Sequence, residues 1–276
     1  MSDHVVSPRY WLPPRPWHVG RPAFLLVATL LVVASVAATV EGSISMSAMG
    51  AVPMPGGWMM SMAWMRMCGQ TWRAVVASFL GMWAEMMLAM MLPSLVPLLW
   101  RCREAMERAG EPRAAWLLTL IGAGYFLVWI APGIVVFPVG AVVAAVEMRQ
   151  PGLARAVPFA VGAVVLVAGA LQVTAWKARS LACCRQGPWH RGSVPASAAA
   201  AWRCGVRLGL HCFGCCAGLT ATMLALGLMD LRVMAIVTAA ITAERLAPSG
   251  RTVARGIGAA LAGTGIFLIL QAAAVG

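Results

Sequence analysis

Residues 211–216 read HCFGCC, and Cys204 lies two helical turns before them. At 100° per residue, Cys204, His211 and Cys215 fall within about 40° of one another on a helix, and Cys212 and Cys216 widen the arc to about 140°. Five soft or borderline donors on one broad face are suited to Cu(I) or Zn(II), because thiolate and imidazole ligate both. The competing explanation is packing. Gly205, Gly209, Gly214 and Gly218 carve small-residue grooves, and the cysteines serve equally well as further small residues. A c-type haem is disfavoured, since the residue after Cys212-x-x-Cys215 is Cys216 and not histidine.

A second set of soft donors occupies residues 81–97, GMWAEMMLAMMLPSLVP. Met82, Met86 and Met90 recur every four residues, with Met87 and Met91 in the adjacent row. Glu85 stands among them, and a carboxylate inside an apolar span needs a proton, a partner or a cation. Thioethers in a row beside one acid offer Cu(I) a path along a helix, although methionine at this spacing also fills ordinary cores. A third set lies at 54–68, where Met59, Met60, Met62, Met65, Met67 and Cys68 are spaced to capture Cu(I) outside a membrane. Trp58, Trp64 and Trp72 would equally anchor an interfacial segment there. Smaller features are Cys183 and Cys184 in a basic stretch, Asp230 and Glu244 near arginines, Gln172 at a helix end, and His190.

These residues must be held by membrane helices. The 276-residue chain is 61% hydrophobic and 11% charged, with mean hydropathy +0.81, whereas soluble domains carry about 25% charged residues. The expected fold is all-α, a polytopic transmembrane bundle. Apolar runs at 23–40, 74–100, 115–146, 157–176, 204–228 and 256–273 are long enough to span. A shorter run at 231–247 brings the expectation to about seven spans, six to eight if the Ala131-Pro132-Gly133 break is counted differently. The net charge of +12 follows topology and does not call for nucleic acid. With the N-terminus cytoplasmic, sixteen basic residues, Lys177, Arg185 and Arg245 among them, fall inside and five outside. Residues 1–22 then form a cytoplasmic segment and 23–276 a single membrane domain. That domain has an outer methionine-rich loop at 41–73 and a cytoplasmic basic, cysteine-containing loop at 177–203. Multi-pass insertion in a bacterial inner membrane is the expected location, with the lipid bilayer and a metal chaperone or another membrane subunit as partners. No phosphate-binding loop, HExxH or nucleophile elbow occurs, so nucleotide-driven transport and hydrolysis find no support.

Three stretches, MWAEMMLAMMLPSLVP (82–97), ALQVTAWKARSLACCR (170–185) and RCGVRLGLHCFGCCAGL through MDLRVM to AER (203–245), resemble a bacterial family of predicted metal-binding integral membrane proteins, the domain-of-unknown-function family 2182. The likeness covers roughly residues 60–270. It implies a membrane domain with metal binding and no settled activity, and it supports Cys212, Cys215, Cys216, Met86, Met90 and Glu244 above His211. Three positions depart from the family pattern: Ser180, where a further cysteine is usual; Ala217, where an aromatic is usual; and His211, where tyrosine is frequent. Copper capture, delivery or transport is the function expected first. A metal- or thiol-dependent membrane redox enzyme, and a structural or assembly subunit whose cysteines only pack, are the alternatives.

Overall fold

The computed structural model describes residues 20–48, 50–66, 69–186, 195–228 and 230–275. In chain order these form α1 (Gly20–Ala48), β1 (Ala51–Met54), β2 (Trp58–Ser61), α2 (Trp72–Arg108), α3 (Ala114–Ile130), α4 (Gly133–Arg149), α5 (Pro151–Gln172), α6 (Ala175–Gln186), α7 (Ala198–Leu226), α8 (Leu231–Leu246) and α9 (Gly250–Val275). The molecule is an all-α bundle. Among the described residues six helical stretches are long and apolar enough to cross a membrane: Arg21–Ala48, Trp72–Arg108, Ala114–Arg149, Pro151–Gln172, Ala198–Leu226 and Gly250–Ala274. The expected seventh, 231–247, is a helix of 16 residues, about 24 Å at 1.5 Å per residue.

Helix starts follow local chemistry. Thr71 caps α2 by accepting from Ala74 N, Ser197 caps α7 through Ala200 N, and Asp230 caps α8 through Arg232 N and Val233 N, each meeting a donor that a helix start leaves free. Asp230 therefore acts as a cap and pairs with no arginine among the described residues. The 115–146 run is interrupted at Pro132, which has no N–H to continue the ladder. Ala131 and Pro132 keep right-handed helical dihedrals, so α3 and α4 form one interrupted rod. Trp83 of α2 fills the interruption. Its indole N–H donates to Trp129 O at 2.9 Å, and a Cβ on Gly133 would come within 2.7 Å of its ring.

Packing separates central from peripheral helices. Half of the apolar window of α2 and of α7 is buried inside the protein, against 17% for α1 and 11% for α9. Two pairs approach through glycine. A Cβ on Gly169 or Gly265 would meet the facing backbone of α9 or α5 at 2.6 Å, and one on Gly205 would overlap Ile121 O of α3. Of the α7 glycines expected to form grooves, Gly205 and Gly209 admit α3 closely while Gly214 and Gly218 make ordinary contacts, and a further glycine seam joins α5 to α9.

Among the described residues, two segments expected as loops carry regular secondary structure. Within 41–73, α1 continues to Ala48 and a two-stranded antiparallel hairpin follows, pairing Val52 with Met60 and Met54 with Trp58. Its turn closes by Gly57 N to Met54 O at 3.2 Å, with Gly56 and Gly57 at φ 100° and 76°, angles that favour glycine. Trp58 Nε1 donates to Ala154 O at 2.9 Å, and Met54 and Met60 bury against Ala144 and Ala154. Within 177–203, residues up to 186 belong to α6, which packs against α7 and α8. The helix forms despite its basic residues because Lys177, Leu181 and Cys184, spaced by four and three, are turned into the bundle.

Candidate metal-thiol site

Cys212, Cys215 and Cys216 are all buried on α7, and Cys184 of α6 is buried against them. Sγ of Cys216 lies 3.3 Å from Cys215 Sγ and 3.9 Å from Cys212 Sγ, and Cys184 is buried in the same core. All four are free thiols. Among the described residues, no set of three or more Cys, His, Asp or Glu side chains forms a ready-made cage for a metal ion. The three α7 sulfurs are neighbours, with Cys212 and Cys216 one helical turn apart.

The methionines of α2 belong to the same core. Met86, Met87, Met90 and Met91 are fully buried in the cluster that holds the four cysteines, together with Met223 of α7 and Met234 of α8. Met82 is half-buried at its edge. At the hairpin end of the bundle a cavity of about 1220 Å³ is lined by Met59, Met60, Trp64, Glu147, Arg155 and Leu228 among others. Leu228 is itself a member of the sulfur-rich core. Leu228 is thus shared between the cavity wall and the packed core that holds the thiols.

Polar groups close the site on its other sides. Arg245 of α8 is 7% exposed. Its Nη1 donates to Ser94 Oγ at 2.7 Å, Tyr125 Oη at 3.3 Å and Cys212 Sγ at 3.4 Å, while Tyr125 Oη donates to the same sulfur at 3.0 Å. Glu244, next in the chain, points into a different group. It accepts from Lys177 Nζ at 2.6 Å and from Gln172 Nε2 at 2.7 Å. Lys177 also donates to Cys215 O, tying the ion pair to the cysteine turn. The expectation that Glu244 pairs with an arginine is corrected: its partner is the lysine, brought by α6. Counting Lys177 and Arg245 as loop charges is likewise corrected, since both are buried in the bundle.

Other expected ligands are not brought in. His211 is exposed, because the buried face of α7 is centred on Cys212, and the residue before it lies about 100° away. Cys204 leaves the group as well. It packs half-buried against Cys102 of α2, with Met106 and Ile121, in a separate core. Glu85 is half-buried on α2 outside the thiol cluster, and Cys183 is exposed beside Cys184. On the hairpin Met60 is buried and Met59 is exposed, and Met62 and Met65, in the turn that follows it, are intermediate. Met67, Cys68 and His190 lie outside the described residues.

Sequence reasoning missed Lys177, Arg245, Tyr125 and Ser94. The signal for the first was available: it is the single lysine among 21 basic residues, so arginine was not used at the one position where a compact three-donor ammonium fits.

A family described as "PpoB2: Copper chaperone" matches residues 80–268. The chain belongs to that copper chaperone family. The match begins in α2 and ends in α9, and it takes in the four clustered cysteines, the α2 methionines from Met82 onward, Lys177, Glu244 and Arg245. Helix α1 and the hairpin precede it. The family shown is therefore a copper one, and the match does not single out the domain-of-unknown-function family 2182 that the motifs resemble. No curated protein and no solved structure matches the chain significantly.

Proposed function

We propose that the protein hands Cu(I) through the membrane, holding it on Cys212 and Cys216 with Cys184 and Cys215 as neighbouring acceptors. The observation that carries this is the burial of four thiols in one core with Met86, Met87, Met90 and Met91. Soft thiolate and thioether donors select Cu(I). Neighbouring sulfurs in contact let the ion change partners without leaving the sulfur environment. Copper is cargo here, and the hairpin-end cavity, with Met59 and Met60 on its wall, is the side on which it is collected. Membership in a copper chaperone family supports the cargo; the route is our inference. The test is copper stoichiometry of the purified protein without a histidine tag. The native chain is expected to retain Cu(I) against a competing thiol ligand, and Cys212→Ser with Cys216→Ser to lose it. Unchanged stoichiometry in that double variant would return the cysteines to a packing role.

A further inference from the structure

The thiol site contains a cation without an anion. Arg245 is 7% exposed and forms no ion pair with a carboxylate among the described residues. The nearest acid in sequence, Glu244, is neutralised by Lys177. Arginine stays charged in proteins, and an unpaired buried charge is costly. Ser94 and Tyr125 satisfy N–H groups but bring no charge. What its guanidinium faces beyond them is the sulfur of Cys212.

We propose that Arg245 is the fixed counter-charge for a dithiolate complex of one monovalent soft cation, and that it makes the site prefer Cu(I) to Zn(II). This rests on the copper role proposed above. Two thiolates and one Cu(I) sum to −1, which Arg245 brings to zero. Two thiolates and one Zn(II) sum to zero, which leaves the buried guanidinium unneutralised. Three thiolates around Zn(II) would also balance the charge. Zinc, however, takes four ligands in a tetrahedron, and no group of three or more such ligands is arranged as a cage among the described residues. Loading is ligand exchange: two S–Cu bonds form as the bonds from copper to the donors that deliver it break and those donors depart, the two thiol protons leave to solvent, and copper stays Cu(I). Arg245 touches ligand and not metal, so it is a positioning residue.

The experiment compares the full-length native protein, Arg245→Gln and Arg245→Lys in detergent, measuring affinity for Cu(I) by competition with a chromophoric chelator and for Zn(II) in parallel. The expected result is a Cu(I) preference in the native chain. Arg245→Gln should lose at least about 30-fold in Cu(I) affinity, the scale of truncating one partner of a buried charge pair, with Zn(II) affinity held or raised. Arg245→Lys keeps the charge and should recover most of the Cu(I) affinity. Equal Cu(I) affinity in native and Gln variants overturns the proposal, and so does parallel loss for both metals. If Arg245→Gln does not fold, the Lys variant decides: a Cu(I) loss beyond about 30-fold with the charge retained refutes a charge role. Failure of the native chain to bind Cu(I) at all would instead remove the copper role on which the proposal stands.

Discussion

Replacing Glu244 by glutamine should destabilise the protein through Lys177. The two side chains are 0% and 3% exposed, and their charged atoms lie 2.6 Å apart. Glutamine preserves the size of the side chain and a hydrogen-bonding oxygen for Gln172, so packing changes little. What changes is charge: the Lys177 ammonium is left buried with only a backbone carbonyl, Cys215 O, beside it. Breaking one side of a buried pair costs about 3–5 kcal/mol. At about 2–4 °C per kcal/mol for chains of 150–250 residues, thermal unfolding in detergent should fall by roughly 6–20 °C. Adding Lys177→Met to Glu244→Gln removes the stranded charge and should restore most of the loss, leaving about 1 kcal/mol for the missing bond to Cys215 O. Two outcomes would refute the reasoning. One is a single variant within about 1 kcal/mol of native. The other is a double variant less stable than the single, which would mean that Lys177 contributes by something other than pairing.

Two further outcomes follow from burial and close approach. In native protein, a membrane-permeant maleimide should modify Cys183 rapidly while Cys184, Cys212, Cys215 and Cys216 stay protected, since only the first is exposed; labelling followed by peptide mass analysis reads this directly, and fast modification of Cys212 would contradict the burial. Gly205→Ala places a methyl group against Ile121 O, and forcing α3 from α7 should cost about 1–3 kcal/mol as overpacking. Gly256→Ala, where nothing lies within 4 Å, should be neutral or mildly stabilising by thermal unfolding.

The spanning helices were legible because lipid and bundle interiors demand long apolar runs, and the interruption at Pro132 was visible in the sequence itself. The hairpin escaped notice although its signals were present. Val52 and Met54 face Met60 and Trp58 across Pro55-Gly56-Gly57, an alternating pattern around a turn tripeptide. The cysteine face was correctly placed on one helix, but its centre was not. A wheel of Cys204, His211, Cys212, Cys215 and Cys216 lacks the neighbours that decide which arc is covered, and Tyr125 of α3 and Cys184 of α6 meet the arc around Cys212. Arg245 and Lys177 were assigned to loops because charges at the ends of apolar runs normally lie there. Lys177 is buried where α6 packs on α7 and α8, and Arg245 where α8 meets Ser94 of α2, Tyr125 of α3 and Cys212 of α7, tertiary events with no local signature beyond the solitary lysine.

The central claim is that Cu(I) is held by buried sulfur alone. Copper X-ray absorption of the Cu(I)-loaded native protein tests it most directly. Two sulfur scatterers with no nitrogen or oxygen in the first shell are expected, and Cys212→Ser with Cys216→Ser should abolish that signal. A first shell containing imidazole nitrogen, or an unchanged sulfur signal in the double variant, would contradict it.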